Sequence, residues 1–196
     1  MRNPILVGER VYIRPLEESD AKSLAEIYAA ETETFMERGR MPAGEISWKR
    51  WITELHRQQP PKDIDFAVCL IENDQFIGFN GVVDIDWINR TGETESDFGP
   101  AEIRSQGYGT DAKHLLLEYC FDVIQLHVVQ SIVWEPNTRS AAAVTKQGYR
   151  LAGRFPHADV KNGVFRDALV FDLMREDWIQ ARDVWRARQQ ERRQRG

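Results

Sequence analysis

The stretch Arg104-Ser105-Gln106-Gly107-Tyr108-Gly109-Thr110 leads directly into a predicted helix that continues to Phe121. Gly107 and Gly109 let the backbone approach a ligand closely, because neither residue has a Cβ atom. In the helix, apolar residues recur at steps of three and four, at Ala112, Leu115, Leu116, Tyr119 and Cys120. A glycine turn that feeds a helix leaves backbone N–H groups unpaired at the positive end of the helix dipole. The stretch therefore predicts an anion site suited to a phosphorylated cofactor.

The segment before this turn predicts a strand with one acidic face. Residues 93–98 read Glu-Thr-Glu-Ser-Asp-Phe, in which acidic residues alternate with small or apolar ones. Successive side chains of a strand point to opposite faces, so Glu93, Glu95 and Asp97 share one face. These three carboxylates are candidates for proton transfer or for attracting a cationic substrate.

The segments after the helix predict the other half of a sheet. Residues 128–134 are strongly β-prone, and this strand ends before Pro136. A short helix over 138–147 follows, and Asn162-Gly163 joins two further strands, which is the strongest hairpin signal in the chain. A final helix begins at Asp177 and ends in Gln- and Arg-rich residues.

The first half of the chain predicts a strand over 11–14, two helices and an antiparallel strand pair. Ser47 is a candidate N-cap of the second helix. Residues 31–44 show little periodicity, which indicates a loop or broken helix near a substrate entrance. The strand pair covers 66–71 and 76–85. The whole order predicts an α+β fold, mostly antiparallel, with one parallel crossover around the central helix.

Composition limits the class of protein. The 196 residues are 42% apolar and 29% charged, which fits one globular domain with a sizeable core. A net charge of −5 argues against nucleic acid as a partner. We expect a cytoplasmic protein with no membrane partner, because we find neither an apolar secretory run nor a stretch of membrane-spanning length. Cys69 and Cys120 fit buried small hydrophobes, and the four histidines show no ligand spacing, so we expect no metal.

Several motifs together resemble one enzyme superfamily. Arg104-x-x-Gly107-x-Gly109 resembles the acetyl-CoA pyrophosphate signature of the GNAT N-acetyltransferases. Asn137-Thr138-Arg139-Ser140, followed by Lys146-Gln147-Gly148-Tyr149, looks like a second block of that superfamily. Arg14-Pro15-Leu16, Phe76-Ile77-Gly78 and the ending around Asn162-Gly163 are similar to its RimJ/RimL type, which acetylates protein N-termini. The likeness covers residues 8–178.

The resemblance implies a fold, a cofactor and a site. The fold is α+β, with a mixed, mostly antiparallel sheet, a splayed parallel strand pair and flanking helices. The cofactor is acetyl-CoA, with its pantetheine arm between the splayed strands, and the acceptor is a primary amine. The acetyltransferase domain covers residues 1–178, and residues 179–196 form an Arg- and Gln-rich helical tail. The resemblance leaves open whether the protein forms a homodimer. The cofactor-binding residues are then Arg104, Ser105, Gln106, Gly107, Tyr108, Gly109, Thr110, Asn137 and Ser140.

The reaction needs a proton acceptor for the attacking amine. An alkyl amine has a pKa of about 10 and is almost wholly protonated at neutral pH, whereas the pKa of a protein α-amine is near 8. We favour Glu95, central in the acidic strand, as this acceptor, with Glu93 next. The alternative is that the acidic strand only attracts a cationic substrate or forms a solvated sheet face.

Two positions depart from the family pattern. Many relatives have a lysine at the position of Gln106, so one contact to the pyrophosphate is absent. Many also have a tyrosine that protonates the leaving thiolate, and Val144 occupies that place. Ser140 or a water molecule can take this role, or the thiolate leaves unaided, since a thiol with a pKa of about 8.5 is a tolerable leaving group.

Two rival classes remain. Gly107-x-Gly109-x-x-Ala112 also fits a dinucleotide-binding fingerprint, with Glu135 as a ribose ligand. The alternating strand at 93–98 argues against it, because a buried parallel strand is nearly continuously apolar. The second rival is an acyl-CoA-binding or sensory protein without catalysis. Within the enzyme reading the acceptor is a protein N-terminus or a small cationic amine, and Phe35, Trp48, Trp51 and Trp87 either line its pocket or belong to the core.

Overall fold

The structure, a computed structural model, describes residues 1–30, 43–99, 103 and 106–195. The strands are β1 (Leu6–Val7), β2 (Val11–Pro15), β3 (Ile64–Leu70), β4 (Phe76–Asp86), β5 (Thr91–Phe98), β6 (Val128–Trp134), β7 (Arg150–Lys161) and β8 (Val164–Met174). The helices are α1 (Ala21–Ala30), α2 (Glu45–Leu55), α3 (Tyr108–Glu118), α4 (Thr138–Lys146) and α5 (Arg175–Arg195), with a 3₁₀ turn at Glu18–Asp20 and a π turn at Tyr119–Val123. The predicted order of elements is confirmed, with β1 as an addition.

One mixed sheet organises these elements. The strand order is β1-β2-β3-β4-β5-β6-β8-β7. All neighbours pair antiparallel except β5 and β6, which are parallel and enclose α3 in their crossover. The parallel pairing covers only Thr91–Glu93 against Val128–Gln130. Beyond these residues β5 and β6 separate, which confirms the predicted splayed pair.

The sheet has an apolar core on each face. Val11 and Ile13 belong to the larger core, which is built with α3, α4 and α5, whereas Tyr12 between them belongs to the smaller one, with α1 and α2. This alternation follows from the two-residue period of β2, so both faces are buried. The smaller core contains Tyr12, Leu16, Ala21, Leu24, Ile52, Ala67, Cys69 and Phe79. The face of the sheet toward α1 and α2 is called the acceptor face below.

The last helix is continuous across residue 178. Trp178 is fully buried and stacks on Phe121, with ring centroids 5.5 Å apart. Farther along α5, the ring of Trp185 lies 4.7 Å from that of His114 on α3. Burial, with a smaller effect of nearby arginine charges, lowers the pKa of His114 to about 4, so its ring is neutral where Trp185 covers it. At least the first three turns of α5 are therefore packed onto the domain.

Other predictions have mixed outcomes. The second helix begins at Glu45, and its N-cap is Gly44 in an extended conformation, not Ser47 as predicted. The predicted loop over 31–44 lies outside the described residues except for its last two positions. Cys69 and Cys120 are both buried and free, as predicted. None of the helices in the described ranges is long and apolar enough to cross a membrane.

Candidate active site

The first turn of α3 provides backbone donors without a side-chain cap. Gly107 is the N-cap with φ 89°, a left-handed conformation that favours glycine, and no side chain caps the helix. Its carbonyl accepts from the N–H groups of Thr110 and Asp111, both at 3.1 Å. The N–H groups of Tyr108 and Gly109 have no acceptor among the residues that the structure describes. These two donors, at the positive end of an 11-residue helix, fit the diphosphate of acetyl-CoA.

The absence of a side chain at Gly109 is also needed for packing against β5. A Cβ atom at Gly109 would lie 3.3 Å from the ring of Phe98, so any side chain there would press on the end of β5. Gly109 thus lets the first turn of α3 pack directly against the strand that forms one wall of the splayed pair. Arg104 and Ser105, the other predicted residues of this turn, lie outside the described residues.

Arg10 reaches the same turn from the start of β2. Its Nη1 donates to the Gln106 carbonyl at 2.8 Å, and its Nε donates to Asp111 Oδ2 at 3.0 Å. The guanidinium carbon lies 4.8 Å from the centre of the Tyr108 ring. Arg10 therefore fixes both sides of the glycine turn and places a positive charge beside the first N–H groups of α3.

A hydroxyl pair marks the point where β5 and β6 separate. Thr94 follows the last paired residue of β5, and its Oγ1 donates to the Gln130 carbonyl at 3.0 Å. The Tyr149 hydroxyl lies 2.7 Å from the same Oγ1 and donates to it when Thr94 donates to Gln130. Burial raises the pKa of Tyr149 well above its ordinary value. Beyond this point the facing backbone edges of β5 and β6 no longer pair with each other, which fits an extended pantetheine arm.

The predicted acidic face of β5 points toward α1 and α2. Glu95 lies opposite Gly81 and Asp97 opposite Phe79, a member of the acceptor-face core. Glu95 is the first residue of this face after the strands separate. Burial raises the pKa of Glu93, and a hydrogen bond from the backbone N–H of Ile132 offsets part of this increase. The acidic face thus lies on the acceptor face, at the open end of the splayed pair.

A fourth carboxyl group, that of Asp65, lies on the acceptor face near Glu95. Asp65 on β3 is opposite Gly81, which in turn is opposite Glu95. A Cβ atom at Gly81 would lie 1.7 Å from Asp65 Oδ1, so the Asp65 carboxyl occupies the space above Gly81. Asp65 is 7% exposed, and no donor among the described residues reaches either of its carboxylate oxygens. Burial, then the charge of Glu95 and a hydrogen bond with it, raise the pKa of Asp65 to about 8.

A buried lysine lies on the opposite side of β5. Lys113 on α3 is 5% exposed, and its Nζ lies 5.9 Å from the centre of the Tyr149 ring. Burial lowers the pKa of Lys113 to about 8, although the charges of Cys120, Glu95 and Glu93 favour its ammonium form. The acidic face and Lys113 therefore interact electrostatically through the sheet.

The second sequence block forms the start of α4. Asn137 is the N-cap, and its Oδ1 accepts from the Ser140 N–H at 3.1 Å. This bond leaves the Asn137 amide nitrogen available for a ligand. Ser140 is half-buried, one turn into the helix. Val144 is buried in the larger core, where it packs with Tyr149.

The aromatic residues considered for an acceptor pocket divide into three groups. Trp48 and Trp51 pack against the acceptor-face core, with ring centroids 5.4 Å apart, and Trp51 lies 5.5 Å from Phe79. Trp87 is exposed and donates its indole N–H to the Pro61 carbonyl at 2.7 Å. Phe35 lies outside the described residues. Trp48 and Trp51 are therefore core residues that border the acidic face.

Four residues of this site were missed by sequence reasoning: Arg10, Asp65, Lys113 and Tyr149. Lys113 was detectable, because a lysine falls on the apolar stripe of the predicted helix. Tyr149 belongs to a quoted motif but was given no role. Arg10 and Asp65 carry no local sequence signal.

A separate cavity of about 610 Å³ lies beyond the end of β6, lined by Trp134, Glu135, Pro136, Asn162, Val164 and Arg166.

Comparisons with known proteins identify the family of this chain. Residues 10–150 match the acetyltransferase (GNAT) domain family. The chain is 25% identical over 182 residues to the probable N-acetyltransferase YjcK of Bacillus subtilis, covering 88% of this chain and 98% of that one. It is 26% identical over 102 residues to the spermidine N(1)-acetyltransferase of Escherichia coli K12, covering 52% and 54%. The crystal structure of the Vibrio cholerae spermidine N-acetyltransferase in complex with CoA and spermine superposes with a TM-score of 0.77 at 16% identity, covering 87% and 98%.

The chain belongs to the GNAT acetyltransferase family, because the family match covers most of its length. It has the GNAT fold and is an N-acetyltransferase that uses acetyl-CoA. The described residues contain no group of three or more His, Cys, Asp or Glu side chains placed to hold a metal ion.

Proposed function

We propose that this N-acetyltransferase acetylates a primary amine of a small cationic acceptor, with Glu95 as the group that takes the amine proton. The observation behind this proposal is the acidic face of β5, which lies on the acceptor face at the point where β5 and β6 separate. Glu93 is the second candidate for the proton acceptor. The whole acidic face attracts a cation whichever carboxylate takes the proton.

The cofactor site would be formed by the turn before α3 and by the splayed pair. The N–H groups of Tyr108 and Gly109 would bind the diphosphate, together with Arg10 and the predicted residues Arg104 to Thr110. Asn137 would hold the pantetheine arm through its free amide nitrogen. When bound, acetyl-CoA supplies an acyl group activated as a thioester.

More than one group is a candidate for the acid that protonates the leaving thiolate of coenzyme A. Val144 cannot donate a proton and is buried in the core. Ser140 remains a candidate donor to the leaving thiolate, with a water molecule as the alternative. The Tyr149 hydroxyl is engaged with Thr94, which argues against a free role for it.

The charge of the acceptor face favours a small polyamine-like substrate over a neutral one. Glu93, Glu95 and Asp97 all belong to this face, and Trp48 and Trp51 border it. The spermidine acetyltransferases among the relatives are consistent with this choice. The resemblance to the RimJ/RimL type supports a second acceptor, a protein N-terminus, whose α-amine is less protonated at neutral pH.

The experiment is a thiol-release assay with acetyl-CoA and a panel of amines. The panel contains a polyamine, an aminoglycoside, a peptide with a free α-amine and the same peptide with its N-terminus acetylated. We expect turnover with the polyamine and none with the blocked peptide. Turnover only with the free peptide would move the assignment to protein N-termini.

The role of Glu95 is tested by Glu95→Gln in the same assay. The amide cannot accept the amine proton, so kcat should fall roughly 10²- to 10⁴-fold. The matched control is Glu72→Gln, the same change at an exposed turn between β3 and β4, which should leave kcat unchanged. A wild-type protein that binds acetyl-CoA but turns over no amine would support the binding-only class instead.

A further inference from the structure

Asp65 combines three features that no fold requirement explains. It is buried, neither of its carboxylate oxygens accepts from a donor among the described residues, and the glycine opposite it leaves room for its carboxyl group. A carboxyl buried in this way is strongly destabilised if it is ionised and receives no hydrogen bond. The cost falls if the carboxyl is protonated and hydrogen-bonded.

Among the described residues, the Asp65 carboxyl interacts with Glu95 through its charge and a hydrogen bond, and more weakly with the charge of Asp63. Residues directly opposite in neighbouring strands point to the same face, so Asp65, Gly81 and Glu95 lie side by side on the acceptor face. Two strand spacings separate β3 from β5, roughly 10 Å. Because Gly81 has no side chain, the two carboxyl groups can meet above it.

Two carboxylates cannot donate to each other, so their hydrogen bond requires one proton. The more buried member holds it, because burial disfavours the charged form. That member is Asp65, which is 7% exposed, whereas Glu95 is half-buried. The O–H of Asp65 then donates to the Glu95 carboxylate.

We propose that Asp65 is a positioning residue for Glu95: it holds a proton at neutral pH and donates it to the Glu95 carboxylate, which keeps that carboxylate charged and fixed toward the acceptor amine. This inference rests on the proposed role of Glu95 as the proton acceptor. Above about pH 8 the pair loses its shared proton, and the two like charges repel.

Other charged groups near the pair are few. Asp63 precedes β3, Glu93 and Asp97 flank Glu95 on β5, and Lys113 interacts from α3. Within the described residues, α1 and α2 present apolar and aromatic side chains to this face. Their charged side chains are exposed: Lys22, Glu26, Glu45, Lys49, Arg50 and Glu54.

The first test measures stability against pH and needs no turnover. The folded-state pKa of Asp65 lies above its unfolded value of about 3.9, so its contribution to stability is complete below that value and is lost as pH rises through about 8. Between pH 6 and pH 9, the Tm of the wild type should fall relative to that of Asp65→Asn by roughly 5 °C. Parallel Tm curves for the two proteins would overturn the proposal.

The second test is the pH profile of kcat/KM. Asp65→Asn keeps a donor to Glu95 without a titrating proton, so we expect activity near that of the wild type at pH 7 and loss of the inflection near pH 8. Asp65→Ala removes the donor and should lower kcat roughly 10- to 100-fold. An inflection near pH 8 that persists unchanged in Asp65→Asn belongs to another group and contradicts the proposal.

The control is Asp183→Asn, the same substitution at an exposed position of α5, which should change neither the Tm profile nor the pH profile. If Asp65→Ala does not fold, the Asp65→Asn variant and the stability curves still test the proposal. If no amine is acetylated, the proposed function fails, and the stability curves test the Asp65–Glu95 pair independently.

Discussion

Arg10 joins two parts of the chain that are about a hundred residues apart. It donates to the Gln106 carbonyl at 2.8 Å and to Asp111 at 3.0 Å, and its side chain is 38% exposed. One part of the guanidinium thus fixes the turn, and the rest faces solvent beside the first turn of α3. A ligand diphosphate at this turn would meet a positive charge that the glycine motif does not supply.

At the residue scale we therefore predict a specific effect of Arg10→Gln. Loss of one charge-assisted contact and of the turn's support should raise the Kd for coenzyme A roughly tenfold. Isothermal titration calorimetry at two salt concentrations measures it, and the salt dependence should weaken in the variant. The matched control is Arg175→Gln, which removes a pair with Asp122 at 2.7 Å on another surface. Equal Kd values for Arg10→Gln and the wild type would contradict the role of Arg10.

Single residues were predictable only where their role follows from local pattern. Gly107 was identified because a glycine lets the backbone of this turn approach a ligand, and the structure adds that it is left-handed, with φ 89°. The shared face of Glu93 and Glu95 follows from strand periodicity alone. Asp65 was not identified, because its meeting with Glu95 depends on the register of two strand pairings and on a glycine between them.

At the scale of elements, the turn and first helical turn of α3 form one unit. Gly107 caps the helix, and a Cβ atom there would lie 2.8 Å from Arg10 Nη2. The left-handed conformation costs a residue with a side chain about 1–2 kcal/mol. The same substitution thus strains the backbone and displaces the arginine.

Gly107→Ala should therefore lower both stability and cofactor affinity. We expect a loss of about 1 kcal/mol or more in urea unfolding and a higher Kd for coenzyme A. Gly163→Ala is the matched control, because Gly163 also has a positive φ, of 73°, in the hairpin turn and no atom within 4 Å of an added Cβ. The control should lose similar stability with no change in Kd. A Kd that changes equally in both variants would show that the turn has no specific role.

Elements with long, regular sequence patterns were predicted, whereas very short elements and boundaries that depend on backbone conformation were not. The strand over 93–98, the helix after Gly109 and the hairpin at Asn162-Gly163 all appear where their patterns indicate. β1 is two residues long and gives no period to detect. The N-cap of α2 was predicted three residues too late, because Ser47 has the better capping side chain but Gly44 has the extended backbone.

At the scale of the whole molecule, the sheet separates two tasks. One face and the first turn of α3 form the surface suited to the cofactor, and the other face holds the carboxyl row beneath α1 and α2. The gap between β5 and β6 connects them, because these two strands stop pairing after Glu93 and Gln130. With Glu95 as the proposed proton acceptor, the reaction would take place where the parallel pairing ends, next to Thr94 and Glu95.

The most direct measurement is a crystal structure of the protein with coenzyme A. We predict that the diphosphate lies within hydrogen-bond distance of the Tyr108 and Gly109 N–H groups, beside Arg10. The pantetheine arm should run between β5 and β6, with the sulfur on the side of Glu95. A diphosphate bound away from the first turn of α3, or a sulfur remote from the acidic face of β5, would contradict this account.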